Sequence, residues 1–250
     1  MIAAGFTDVG LSRKHNQDAI FVSTEEVGPL PNLFIVADGM GGHNAGDVAS
    51  SRAIETVVDY IRNFKLSSII QPDDYLDLLI NAAQRANDAI FSEGVDSIEK
   101  KGMGTTLTLC VIHDVKIFIV HIGDSRAYRV TRDKIEQVTT DHTYVEELIQ
   151  ARRISKEQAK THPRRHVVTK VLGTQGPCGA DGLVVSVADT KAVLLCSDGL
   201  SNMLDNETIL RIINSSGTPS ARALTLIGEA NLKGGHDNIS AIIIDFKEVS

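Results

Sequence analysis

The sequence lacks the features that would assign it to several common classes. Its three cysteines, Cys110, Cys178 and Cys196, are dispersed and form no CxxC pair, so we expect reduced thiols rather than a disulfide framework. No run approaches the ~18 consecutive apolar residues of a membrane-spanning helix. Residues 1–18 also lack a basic segment followed by a long apolar one. We therefore expect a soluble, cytoplasmic protein with no membrane partner.

Positive charge and the common phosphate-binding signatures are scarce as well. The 25 Lys and Arg residues against 32 Asp and Glu give a formal net charge of -7, which argues against non-specific nucleic-acid binding. The chain contains no G-x-x-x-x-G-K-[ST] loop and no EF-hand spacing. No cysteine has an arginine six positions later, and no DxDGT string occurs, which disfavours cysteine-based and aspartyl-phosphate phosphatases. An acidic chain of this kind instead attracts cations.

Hydrophobic patterning indicates one α+β domain over residues 1–250. Apolar residues at helical spacing predict helices over 47–64 and 72–93, and Thr218-Pro219 predicts the start of a third helix over 220–233. Short segments rich in β-branched residues predict strands at 19–23, 33–38, 105–112, 116–123, 127–131, 183–188, 192–198 and 239–246. Because the strands are apolar on both faces, we expect packed sheets covered by helices.

Four of these apolar runs have an aspartate at one end: Asp38, Asp124, Asp198 and Asp237. Each one alone is typical of a solvated turn residue. If the ends meet in space, repulsion between carboxylates would require bound cations, and oxygen ligands favour Mg²⁺ or Mn²⁺ over Zn²⁺. Two such ions, roughly 3.5–4 Å apart, could activate a water for displacement at phosphorus. Upstream, Arg13 alone is typical of a solvated loop residue, although its guanidinium fork suits phosphate.

Seven motifs then occur in order along nearly the whole chain: GLSRKHNQD, VADGMGGHNAGD, MGTTLT, HIGDSRAY, HPRRHVVTKVLG, LLCSDGL and GGHDNIS. In this set and order the sequence resembles the metal-dependent serine/threonine protein phosphatases of the 2C type, in their compact bacterial form. The resemblance implies a four-layer α-β-β-α sandwich, with two antiparallel sheets flanked by helix pairs and a small flap subdomain at roughly 140–180. It also implies hydrolysis of phosphoserine and phosphothreonine in proteins by a monomeric enzyme that opposes a bacterial serine/threonine kinase.

The resemblance also implies a metal-ligand set. Asp38, Asp198 and Asp237 match ligands of a first Mn²⁺ or Mg²⁺ ion, with Asp38 bridging to a second. Gly39 matches the residue that offers its backbone carbonyl to the second ion, where close backbone approach explains the glycine. Asp124 matches the acidic residue of a weaker third site.

Other positions match catalytic roles less completely. Asp18 resembles the carboxylate that holds metal-bound water, and Arg13 resembles the phosphate-binding arginine. Met40 stands where many eukaryotic relatives carry a histidine considered as general acid, so His43 is the substitute that we predict. Asn202 stands where some relatives place another acidic ligand of the third metal.

The segment 152–170 contains seven Lys or Arg residues and a single acidic residue, Glu157. It is either a solvated helical face or, as its place in the flap implies, a surface that steers phosphorylated substrates. Ser155 and Gln158 form a capping-box pattern, which predicts a short helix there.

A second function stays open at this point. A noncatalytic phosphoprotein-binding module could retain the same fold without turnover. The presence of Arg13 and of all four strand-end aspartates favours the enzyme. Metal-dependent turnover would distinguish the two.

Overall fold

The structure is a computed structural model that describes residues 1–42, 45–64 and 74–246. Within these ranges the chain forms eleven β-strands, seven α-helices and a 3-10 turn at Ile98–Lys100. The strands are β1 (Ile2–Asp8), β2 (Asp18–Ser23), β3 (Leu33–Met40), β4 (Gly104–Thr105), β5 (Leu107–His113), β6 (Lys116–Ile122), β7 (Arg126–Val130), β8 (Ile135–Gln137), β9 (Asp181–Ser186), β10 (Ala192–Cys196) and β11 (Ile239–Asp245). The helices are α1 (Ala45–Arg62), α2 (Tyr75–Asp96), α3 (Tyr144–Gln150), α4 (Lys156–Lys160), α5 (Asp198–Ser201), α6 (Asn206–Asn214) and α7 (Pro219–Leu232).

The strands build two sheets in which every pairing is antiparallel. One sheet has five strands in the order β1-β11-β10-β7-β8. The other has the order β2-β3-β5-β6-β9, with β4 paired to β3. In this second sheet Asp18 lies directly opposite Asp38, so two predicted site residues are neighbours across one strand pair.

Three apolar clusters separate four layers. Phe34 and Val36 of one sheet pack against Val193, Leu195 and Ile242 of the other, which fills the space between the sheets. A second cluster lies under α1 and α2, and a third lies under α6 and α7. The predicted α-β-β-α sandwich is therefore confirmed, and the reason is that the strands carry apolar residues on both faces.

The cysteines agree with the expectation from the sequence. Cys110, Cys178 and Cys196 are buried and form no disulfide. Cys110 lies between the sheets, and Cys196 packs on the helical side of its sheet. Their role is therefore packing.

The predicted helices form, with shifted ends. Thr218 caps α7, because its Oγ1 accepts the N–H of Ala221 at 3.2 Å. The predicted start of α2 lies in residues outside the described ranges, and the described helix runs from Tyr75 to Asp96. None of the helices in the described ranges is long and apolar enough to cross a membrane.

Several strand predictions need correction. The segment 105–112 is two strands, since the chain leaves β4 after Thr105 and begins β5 at Leu107. β3 continues past Asp38 to Met40, so this aspartate lies within the strand. Asp198 begins the short helix α5 instead of ending a strand.

The flap predicted at roughly 140–180 contributes α3 and α4 and adds no strand to either sheet. A bridge between Thr143 and Val168 closes its base. The capping box is confirmed: Ser155 Oγ accepts the N–H of Gln158 at 3.2 Å, and Gln158 Oε1 accepts the N–H of Ser155 at 2.8 Å. The flap therefore holds the short helix that the sequence predicts.

Candidate metal centre and active site

A cleft of about 1350 Å³ opens where the two sheets and the flap meet. Most of the sequence-predicted site residues line it, namely Arg13, Asp38, Gly39, Asp124, Asp198 and Asp237. The flap contributes basic side chains to the lining of the same cleft, namely Lys156, Lys160, Arg165 and His166. Residues that are far apart in sequence thus share one cavity with acidic and basic walls.

The backbone of Asp38 is fixed by its neighbour Thr106. Its N–H donates to Thr106 Oγ1 at 2.9 Å, and its carbonyl accepts the Thr106 N–H at 2.9 Å. The next residue has no room for a side chain: a Cβ at Gly39 would lie 1.9 Å from the carbonyl oxygen of Gly46 and 2.6 Å from that of Gln17. Any side chain at position 39 would therefore collide with neighbouring backbone.

Asp18 lies behind the cleft and is held by two serines. Its Oδ2 accepts hydrogen bonds from Ser197 Oγ at 2.7 Å and from Ser240 Oγ at 2.6 Å. Among the described residues its other oxygen, Oδ1, is buried and has no hydrogen-bond partner. Sequence reasoning missed both serines, although each follows or precedes a motif aspartate closely.

The electrostatics of the cluster are unfavourable to so many negative charges. Burial, and then repulsion from Asp198, raise the pKa of both Asp18 and Asp124 to about 7, although the two serines oppose the rise at Asp18. Burial and four neighbouring carboxylates raise the pKa of Asp38 well above its ordinary value. Burial also raises the pKa of Asp198, followed by repulsion from Asp237. The cluster therefore needs protons or cations to balance its charge.

The donor set fits hard divalent cations. Oδ1 of Asp198, like Oδ1 of Asp18, is buried without a hydrogen-bond partner in the described part of the chain, so each carboxylate has an oxygen available for ligation. Asn202 Nδ2 donates to Asp198 Oδ2 at 3.0 Å, which places an amide beside the ligand set. Within residues 1–42, 45–64 and 74–246 no three acidic, His or Cys side chains yet stand together at ligand spacing.

Arg13 occupies the mouth of the cleft and pairs with a predicted metal ligand. Its Nη2 donates to Asp237 Oδ2 at 2.8 Å, while Asp237 Oδ1 accepts the N–H of Asn238 at 2.9 Å. The Arg13 side chain is 52% exposed, so an incoming anion can reach it. Met40 lines the cleft. His43, the predicted general acid, lies outside the described residues.

Sequence comparison identifies the family. The profile described as Protein phosphatase 2C matches residues 12–225 of this chain. The chain belongs to the protein phosphatase 2C family. The serine/threonine phosphatase stp of Listeria innocua is 35% identical over 241 residues, which cover 96% of this chain and 93% of that relative.

Solved structures agree with this assignment. Serine/threonine phosphatase Stp1 from Staphylococcus aureus has a TM-score of 0.90 and 31% identity, covering 98% of this chain and 94% of that one. The catalytic domain of the serine threonine protein phosphatase PstP, in complex with two manganese ions, has a TM-score of 0.80 and 31% identity, covering 98% and 97%. Membership confirms the predicted fold and the metal dependence of this protein phosphatase 2C.

Proposed function

We propose that this protein phosphatase 2C hydrolyses phosphoserine and phosphothreonine in proteins, in a reaction that depends on Mn²⁺ or Mg²⁺. The observation that carries the proposal is the convergence of buried carboxylates on one cleft, where Asp18 and Asp198 each have an oxygen with no hydrogen-bond partner among the described residues. An arginine at the cleft mouth and the basic flap side chains that line the cleft suit a phosphorylated substrate.

The ligand assignment is part of the proposal. Asp38, Asp198 and Asp237 hold one ion, Asp38 and the Gly39 carbonyl hold a second, and Asp124 takes part in a weaker third site. When bound, such ions act as Lewis acids, lower the pKa of water and neutralise phosphate charge. The buried, rigid backbone around Asp38 and Gly39 supports this assignment, because it fixes the ligand positions in advance.

The other residues bind and orient the reactants. Arg13 binds the phosphate oxygens through its guanidinium fork, and Asp237 holds that fork at the cleft mouth. Asp18 is held by Ser197 and Ser240 and orients the attacking water through its other oxygen, Oδ1. His43 gives a proton to the leaving serine or threonine oxygen.

We further propose that residues 1–250 act as a single catalytic domain and as a monomer in the cytoplasm. The pairing of β1 with β11 supports one unit, since the first and last described strands share a sheet. The three free cysteines support a reducing compartment. The substrates are phosphoproteins made by a bacterial serine/threonine kinase, and neither nucleic acid nor membrane is a partner.

The decisive experiment measures phosphate release from a phosphothreonine peptide with Mn²⁺, with Mg²⁺ and with chelator. Wild type is compared with Asp198→Ala and with Asp133→Ala, which changes an exposed aspartate that does not line the cleft. We expect metal-dependent release that falls by orders of magnitude in Asp198→Ala and is unchanged in the control. No release by folded wild type would favour the noncatalytic binding module, and near-normal release by Asp198→Ala would reject the ligand assignment.

A further inference from the structure

The turn that precedes Asp124 is held from both sides by one histidine. The N–H of Gly123 donates to His142 Nδ1 at 3.1 Å, and the carbonyl of Gly123 accepts the backbone N–H of His142 at 2.7 Å. Gly123 has a φ of +109°, and a Cβ there would lie 2.5 Å from Thr106 Cγ2. The turn is therefore restricted to glycine, and its backbone depends on His142 for both polar groups.

These contacts fix the tautomer of His142. Because Nδ1 accepts a hydrogen bond, the ring hydrogen is on Nε2, which donates to Asp181 Oδ2 at 3.1 Å. Lys170 Nζ lies 3.3 Å from the same Nε2, 3.4 Å from the other oxygen of Asp181 and 3.3 Å from the carbonyl oxygen of Gly179. Because the Gly123 N–H can only donate to Nδ1, Nε2 carries the hydrogen and the ammonium is satisfied by the two oxygens. The imidazole thus connects the turn before Asp124 to the start of β9 and to the C-terminal side of the flap.

The surroundings keep the ring neutral and immobile. His142 is 7% exposed and stacks on the fully buried His121, with ring centroids 5.0 Å apart. Burial, and then the neighbouring His142, lower the pKa of His121 to about 4, and burial lowers the pKa of His142. The backbone of His142 is also tied to the flap, because its carbonyl accepts the N–H of Thr169 at 2.8 Å.

We propose that His142 is a positioning residue that fixes the Asp124 carboxylate in the cleft and links it to the base of the flap. The inference rests on the proposed function in that it takes Asp124 as a cation ligand. A purely structural role for His142 would affect folding alone. A positioning role affects the Mn²⁺ concentration that the enzyme requires and the protection of the Gly123 amide from hydrogen exchange.

Two substitutions test the contacts of the two ring nitrogens of His142 separately. In His142→Asn, the side-chain oxygen replaces Nδ1 as acceptor for the Gly123 N–H and the link to Asp181 is lost. In His142→Gln, the longer amide reaches Asp181 but leaves no acceptor beside Gly123. His113→Gln is the matched control, because His113 lies at the opposite end of β5 from the cleft.

The experiment uses the full chain and three measurements. Amide hydrogen exchange reports the Gly123 N–H, equilibrium dialysis reports Mn²⁺ binding, and phosphate release from a phosphothreonine peptide gives kcat, KM and the Mn²⁺ concentration for half-maximal activity. We expect His142→Gln to expose the Gly123 amide and to raise the half-maximal Mn²⁺ concentration about tenfold or more, with KM for the peptide unchanged. His142→Asn should retain both properties within about twofold, as should the control.

Equal behaviour of the two His142 variants, or an unchanged Gly123 exchange rate in His142→Gln, overturns the proposal. So does a His142→Gln enzyme that is less stable to heat but has the wild-type Mn²⁺ requirement. Failure of the proposed function is distinct, because wild type itself would then release no phosphate. In that case exchange and dialysis still decide whether His142 positions Asp124.

Discussion

The floor of the cleft is held by contacts between residues far apart in the sequence, whereas its rim is held by contacts between residues close together. The floor is the buried carboxylate cluster, where Ser197 and Ser240 reach Asp18 from 179 and 222 residues away. The rim is the part of the flap around α4, residues 155–166, where the capping box joins residues three apart. Both regions face the same cavity, yet long-range contacts assemble the floor and local contacts cap the helix of the rim.

Because of this difference, we expect stability and chemistry to depend on the floor and substrate association to depend on the rim. The floor is buried and rigid, so a change there should affect both stability and chemistry. The rim is exposed and locally stabilised, so a change there should affect substrate association and leave the chemistry intact. Each of the following predictions tests this separation.

The largest effect is expected from removing the two serines that hold Asp18. The double variant Ser197→Ala/Ser240→Ala leaves the buried carboxylate without donors, which should cost about 1–3 kcal/mol of unfolding free energy per lost bond. Turnover should fall by about 10–100-fold. Urea unfolding and phosphate release measure both effects. The exposed pair Ser92→Ala/Ser216→Ala is the control, and a double variant that matches this control would contradict the account of the floor.

The next prediction concerns pH in the presence of chelator. Burial and carboxylate repulsion raise the pKa values of Asp18 and Asp124 from 3.8 to about 7, so the folded protein retains protons that the unfolded chain has released. The free energy of unfolding should therefore fall as pH rises through this interval, by about 1.4 kcal/mol per pH unit for each retained proton.

Excess Mn²⁺ should reduce or reverse that slope, because a bound cation favours the ionised carboxylates. Urea unfolding across the interval, with chelator and with Mn²⁺, gives the two slopes. If the free energy of unfolding in chelator stays constant or rises with pH, the buried carboxylates of the floor repel one another less than their burial and proximity indicate.

A smaller effect is expected from reversing charge on the rim. Lys156→Glu/Arg165→Glu should raise KM for an acidic phosphopeptide about tenfold at low salt and leave kcat unchanged, because the flap charges act on association. The difference should shrink at high salt. Lys101→Glu/Lys134→Glu gives the same change in net charge away from the cleft. A large fall in kcat in the rim variant would remove the distinction between rim and floor.

The smallest effect is expected from the capping box. Ser155→Ala should destabilise α4 by about 1 kcal/mol, seen as faster amide exchange in that helix. Global stability and kcat should stay unchanged, and Ser155→Thr should keep most of the cap. If Ser155→Ala instead lowered global stability as much as the two serine substitutions in the floor, the flap would be part of the cooperative core.

Features of the fold that depend on residues close together in the chain could be predicted from the sequence. The capping box of α4 and the Thr218 cap of α7 depend on residues a few positions apart, so their pattern is visible in the chain. The candidate ligands were recognisable because their motifs occur in a family order. Nothing local indicates that Ser197 and Ser240 bind Asp18, since only the assembled sheets bring them together.

Two elements that the sequence patterns did not predict, β1 and α6, differ in whether a local signal was present. β1 contains Ala3, Ala4 and Gly5, which have little intrinsic strand preference, and it forms because β11 pairs with it along its whole length. By contrast α6 carries its own signal, since Asp205 accepts the N–H of Thr208 at 2.8 Å as an N-cap. That helix was predictable in principle.

The position of β11 determines when, during synthesis on the ribosome, the protein can first become active. This strand lies between β1 and β10, and among the described strands no other pairs with β1. A chain still on the ribosome therefore has an unpaired first strand, and it lacks Asp237, until residues 239–245 leave the exit tunnel. Nascent chains should consequently be inactive until residues 239–245 have emerged and paired, and a chain released by a stop codon before that segment would add no partial phosphatase activity to the cell.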